Sequence, residues 1–142
     1  MPTRTAEANW SGSLMEGKGT LATGSKAFSG AYDWKMRSGD APGTNPEELL
    51  GAAHAGCFSM ALSHQLAQAG HPPTKVHTTA KVSFEKQAEG FAITKIELTT
   101  DAQVPGIDDK KFQELANKAK DGCPVSKALK ATPITLTAKL NK

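Results

Sequence analysis

Charge is missing from one long stretch of this 142-residue chain: between Leu49 and Gly70 there is no Asp, Glu, Lys or Arg. A surface helix is rarely uncharged all round, so this stretch is expected to be covered on most sides. It is not a membrane span, because His54, Ser59, Ser63, His64, Gln65 and Gln68 interrupt the apolar run. No later segment is apolar enough to cross a bilayer, and residues 1–10, MPTRTAEANW, lack the apolar core of a signal peptide, so a cytoplasmic location is expected. Cysteine is scarce too, with only Cys57 and Cys123. In a reducing compartment such a pair is inert core, metal ligand or redox chemistry, and not a permanent staple. There is no basic block: the net charge is +3, and the basic residues after Lys110 alternate with acidic and apolar ones, so nucleic-acid binding is not indicated. A Gly-rich phosphate loop, a nucleophile elbow, internal repeats and low-complexity tracts are all absent.

What fills the uncharged stretch reads as one long helix. Asn45 suits the N-cap, Pro46 the first helical position, Glu47 and Glu48 the positive end of the dipole, and Gly70 the stop. From Pro46 to Ala69 it would run about 36 Å. Before it, Thr5 to Ser13, Lys18 to Thr23 and Gly30 to Arg37 read as three strands of an antiparallel meander, and SGDAPGTN (38–45) as a loop. After it, Val76, Thr78, Ala80, Val82 and Phe84 alternate with polar residues, Ala88-Glu89-Gly90 makes a turn, and a second strand follows. That strand puts Ile93 on one face and Thr94, Ile96 and Leu98 on the other. Asp108 caps a further helix with Phe112, Leu115, Ala116 and Ala119 at helical spacing, ended by Gly122. Cys123-Pro124 opens a short helix, Val125 to Lys130, and Ile134, Leu136, Ala138 and Leu140 form a closing strand. This order predicts a single α+β domain over residues 1–142, with a sheet on one side of the central helix. The side left bare is best covered by a second copy in a homodimer.

Two sulfurs and one imidazole carry the candidate chemistry. Cys57 lies mid-helix between Gly56 and Phe58, where a cysteine is usually core, and no dipole end assists it there, so a reactive Cys57 would need a cation nearby. Cys123 begins a helix, where unpaired N–H groups stabilise a thiolate, so local context favours it as the more acidic thiol. His54 sits one turn before Cys57, within reach of a thiolate–imidazolium pair, although a hydrogen-bonded helix histidine is the plainer reading. His54 and Cys57 could begin a metal site, but no Cys-x-x-Cys or His-x3-His pair completes four ligands, and neither metal nor organic cofactor is expected.

The segments GTNPEELLGAAHAGCFSMALS (43–63), GFAITKIEL (90–98), VPGID (104–108) and DGCPVSKAL (121–129) together resemble the osmotically inducible protein C and organic hydroperoxide resistance family, and the osmotically inducible branch of it. The resemblance implies an intertwined α+β homodimer with antiparallel sheets wrapped around long central helices. It implies a thiol peroxidase of oxidative or osmotic stress defence that reduces organic hydroperoxides and, less specifically, hydrogen peroxide. It gives Cys57 the peroxidatic role and Cys123 the resolving one, with Arg37, from the third strand, and Glu47 completing the site. The reductant implied is a dithiol, a lipoyl-bearing protein among the candidates. Glu47 lies about 15 Å along the helix axis from Cys57 and about 80° round it, so it would act through Arg37 or come from the partner subunit. A non-catalytic dimeric redox sensor or binding module is the alternative.

Overall fold

The computed structural model describes residues 1–141. They group into two compact units, Met1–Leu49 and the residues from Leu50 onward.

In the first unit, β1 (Ala6–Ser11), β2 (Lys18–Thr23) and β3 (Ser29–Tyr32) form an antiparallel sheet in that order. The reading of Gly30 to Arg37 as one strand is corrected here: the strand stops at Tyr32, and α1 (Trp34–Ser38) follows at once. Asp33 causes the switch, since its carboxylate accepts the Met36 N–H at 2.9 Å and so caps a helical turn. Arg37 therefore projects from a helix and not from the third strand. Asn45 then starts α2 (Pro46–Gln68) as expected, its Oδ1 accepting the Glu48 N–H at 2.8 Å. Its Nδ2 donates to the Met36 carbonyl at 3.2 Å, so one side chain both caps α2 and ties α1 to it.

In the second unit, β4 (Lys75–Gln87) and β5 (Gly90–Gln103) make the long hairpin, and Gly90, with φ of 124°, follows the two-residue turn. Ser83 pairs with Lys95 but Phe84 pairs with Ile93, so Thr94 is an extra, bulged residue. The bulge turns Ile93, paired with Phe84, to the face where Ile96 pairs with Val82. The expectation that Ile93 lies on the face opposite Ile96 and Leu98 is therefore corrected: it packs against the same core. α3 (Asp109–Gly122) is capped by Asp108, whose carboxylate accepts the Lys111 N–H at 2.8 Å. Then come α4 (Pro124–Ala128) and β6 (Ile134–Asn141). β6 lies beside β5 in parallel, in a sheet ordered β4-β5-β6. The pairing departs from the all-antiparallel expectation because α3 and α4 carry the chain back before β6 begins, as a parallel neighbour requires.

The buried apolar residues all lie from Phe58 onward. On α2 the row Phe58, Leu62 and Leu66 is fully buried, and it joins Ile96, Leu98 and Ala102 of β5 with Phe112, Leu115, Ala116 and Ala119 of α3. At roughly 25 cal/mol per Å² this cluster is the main favourable term in the second unit. The opposite row of α2, with Ala52, Gly56 and Met60, is exposed, Met60 to 77 %.

Candidate active site

The row of α2 that buries Phe58, Leu62 and Leu66 begins one turn earlier with His54, so the core itself holds this histidine at zero exposure. Its Nε2 lies 2.7 Å from Ser126 Oγ of α4. Burial lowers its pKa below the ordinary 6.5, which leaves it neutral at neutral pH. The hydrogen-bonded histidine is thus the form found, and an imidazolium beside Cys57 is not.

Three residues further along α2, the sulfur of Cys57 lies 2.7 Å from that of Cys123, both being free thiols. Cys57 is half-buried and Cys123 fully buried. Burial, first, pushes the Cys57 thiol up, and the sulfur of Cys123 adds to this; a hydrogen bond from the Val125 backbone N–H opposes both. That donor overturns one expectation. The first turn of α4 aims a backbone N–H at Cys57, the mid-helix sulfur for which no such help was foreseen, while Cys123 occupies the N-cap with no side-chain capping bond. The route to Val125 and Ser126 was hidden in the sequence, because it depends on two segments some seventy positions apart crossing face to face. The one available signal was spacing: His54 precedes Cys57 by three residues, and Ser126 follows Cys123 by three.

The other two expected site residues meet in the first unit. Arg37 Nη2 donates to Glu47 Oε1 at 2.8 Å, and Nε lies 3.2 Å from both carboxylate oxygens. Glu47 is nearly buried while the Arg37 side chain keeps about a third of its surface exposed. The carboxylate also sits in the first turn of α2, where the helix dipole favours it. A cavity of about 230 Å³ opens beside Arg37, lined by Trp10, Leu14, Tyr32, Asp33 and Trp34, with the Trp10 and Tyr32 rings 5.3 Å apart. Among the described residues no group of three or more His, Cys, Asp or Glu is arranged to hold a metal ion. No helix there is long and apolar enough to cross a membrane.

Residues 38–139 match the family of OsmC-like proteins. The chain is 52 % identical to the peroxiredoxin OsmC of Escherichia coli over 135 residues, 94 % of each chain. It is 39 % identical to the organic hydroperoxide resistance protein OhrB of Bacillus subtilis over 88 residues, 61 % of this chain and 62 % of OhrB. Its fold superimposes on the crystal structure of an organic hydroperoxide resistance protein from Elizabethkingia anophelis with a TM-score of 0.76 at 26 % identity, covering 99 % of both chains. With its uncharged central helix, its facing pair of thiols and these relatives, the chain belongs to the OsmC family.

Proposed function

We propose that this protein is a thiol-dependent peroxidase that reduces organic hydroperoxides, with Cys57 as the attacking sulfur and Cys123 as the resolving one. The observation that carries this reading is the 2.7 Å contact between two free thiols from segments 66 positions apart. The names of the relatives, a peroxiredoxin and organic hydroperoxide resistance proteins, support it and point to stress defence.

In this reading the Cys57 thiolate attacks the distal oxygen of the hydroperoxide. The O–O bond breaks, the departing oxygen takes up a proton and leaves as the alcohol, and Cys57 remains as the sulfenic acid. Cys123 attacks that sulfur, the hydroxyl leaves with a proton as water, and a disulfide closes. A dithiol then reduces it, restoring both thiols and ending as its own disulfide. Because burial pushes the Cys57 thiol up, the thiolate needs a cation in addition to the Val125 N–H. A guanidinium held by Glu47, that of Arg37, supplies a permanent one able to polarise the peroxide as well. The aromatic and aliphatic lining of the cavity beside Arg37 suits the hydrocarbon part of an organic hydroperoxide better than hydrogen peroxide. The working form is a homodimer with its active sites at the subunit interface. In the single chain Met60 on the uncharged row of α2 is 77 % exposed, and a second copy would cover it.

The upward push on Cys57 is also what a slower, non-catalytic redox sensor would have. Turnover separates the two: catalytic consumption of tert-butyl hydroperoxide with excess dithiothreitol supports the peroxidase, and a single equivalent consumed per chain overturns it in favour of the sensor.

A further inference from the structure

We infer that the buried His54–Ser126 hydrogen bond is a clamp that holds α4 against α2 so that Cys123 stays in reach of Cys57; His54 and Ser126 are positioning residues of the thiol pair. The inference rests on the proposed roles of the two cysteines.

α4 has only five residues, too few for a helix to persist by itself, so its place is set by what it touches. Its first turn reaches α2 through three contacts: Cys123 Sγ to Cys57 Sγ, the Val125 N–H to Cys57 Sγ, and Ser126 Oγ to His54 Nε2. The first two end on the sulfur that reacts. Both must change when Cys57 gains an oxygen atom and again when the disulfide closes. The third ends on groups that take no part in the redox steps and can persist through the cycle. His54 lies three residues before Cys57 and Ser126 three after Cys123, so the clamp and the sulfurs touch about one helical turn apart on both helices. Two contacts a turn apart fix the angle of α4 as well as its distance. Burial makes the clamp geometrically strict: His54 is fully buried and Ser126 is 5 % exposed, so neither finds water as a substitute partner. Burial also keeps the imidazole neutral, so it works as a hydrogen-bonding group and not as a charge that would compete for the thiolate.

A clamp of this kind raises the effective concentration of Cys123 at Cys57, which favours disulfide closure in rate and in equilibrium. The test compares wild type, Ser126→Ala, Ser126→Thr, His54→Phe and the double variant Ser126→Ala/His54→Phe. Disulfide formation is set against graded reduced and oxidised dithiothreitol and read as the loss of two mass units per chain. Stopped flow with one equivalent of tert-butyl hydroperoxide separates the first oxidation from closure of the disulfide. Ser126→Ala should lower the disulfide equilibrium constant and slow closure by roughly tenfold, about the worth of one net buried hydrogen bond. The first oxidation should change less, a split that loss of general stability would not produce. Ser126→Thr, which keeps the hydroxyl, should recover most of the effect, and the double variant should be no worse than either single. The clamp is overturned if Ser126→Ala stays within about twofold of wild type in both readings, or if the two single losses add. Should His54→Phe fail to fold, the two Ser126 variants decide. The dithiothreitol equilibrium needs no peroxide, so a chain that ignores the hydroperoxide would sink the proposed function while the clamp is still read.

Discussion

Arg37 grips the carboxylate of Glu47 through two of its nitrogens, with a shortest contact of 2.8 Å, across a loop that ends at the first turn of α2. The planar fork fixes the direction in which the remaining guanidinium edge points, and an ammonium could not do this.

Arg37→Ala is accordingly expected to slow the reaction with organic hydroperoxide by two orders of magnitude or more, in line with the loss of a dedicated donor to developing negative charge. Burial raises the Cys57 thiol, so the rate should climb with pH as the thiolate forms, and in Arg37→Ala this limb should move to higher pH. Arg37→Lys should restore only part of the rate. The fold should lose about 1–2 kcal/mol in urea, because Glu47 is left unpaired but its partner's side was partly in water. An unchanged pH limb in Arg37→Ala would mean that another cation serves Cys57.

The two sulfurs should give distinguishable variants. Cys57→Ser is expected to abolish peroxide consumption, whereas Cys123→Ser should consume about one equivalent and stop, leaving Cys57 as sulfenic acid or, with excess peroxide, sulfinic acid. Intact-mass spectrometry and a sulfenic-acid trap check this, and wild type should show an intrachain disulfide without crosslinked dimers on non-reducing gels. Exchanged phenotypes would make Cys123 the attacking sulfur.

Stability should fall on mild acidification. The folded chain keeps His54 neutral because burial lowers its pKa, while in the unfolded chain it titrates near the ordinary 6.5. Below that value the unfolded state binds a proton that the folded state refuses, so stability is full above about pH 6.5 and declines as pH falls beneath it towards the lowered folded value. Urea midpoints measured between pH 8 and pH 5 should drop in wild type and drop less in His54→Gln. Equal drops in both would assign the acid sensitivity to other groups.

Met60 stands 77 % exposed on the uncharged row of α2, and a second copy is expected to cover it. Light scattering at micromolar concentration should give a dimer for wild type. Met60→Glu, which sets a charge on that row, should shift the mass towards the monomer and reduce activity with it. A wild-type monomer under these conditions would remove the interface from the proposed site.

The parts of this fold that were legible in the sequence are those fixed within a few residues. Asn45 and Asp108 announce their helices because a cap reaches only three positions ahead, and the β4–β5 alternation is visible because one face meets the core. The misreading of residues 33–37 has the same local origin. Tyr32 and Trp34 are good strand formers, and their pull hides the single carboxylate of Asp33 that starts a helix between them. Arg37 and Glu47 were named through family likeness, and nothing in their spacing announces the ion pair. The Val125 donor and the Ser126 clamp depend on α4 crossing α2, a relation between distant segments that no local pattern encodes.

The parallel placement of β6 beside β5 bears on the order in which the molecule assembles. Cys123 lies within the crossover between these strands, so the segment that carries it is anchored at its far end by the eight-residue strand β6. Such non-local pairing is slow compared with hairpin closure. A refolding chain is therefore expected to expose Cys57 for some time before β6 fixes the segment that carries Cys123. Pulsed alkylation during refolding should find Cys57 open to the reagent until the phase that orders β6, and earlier protection would refute that sequence of events.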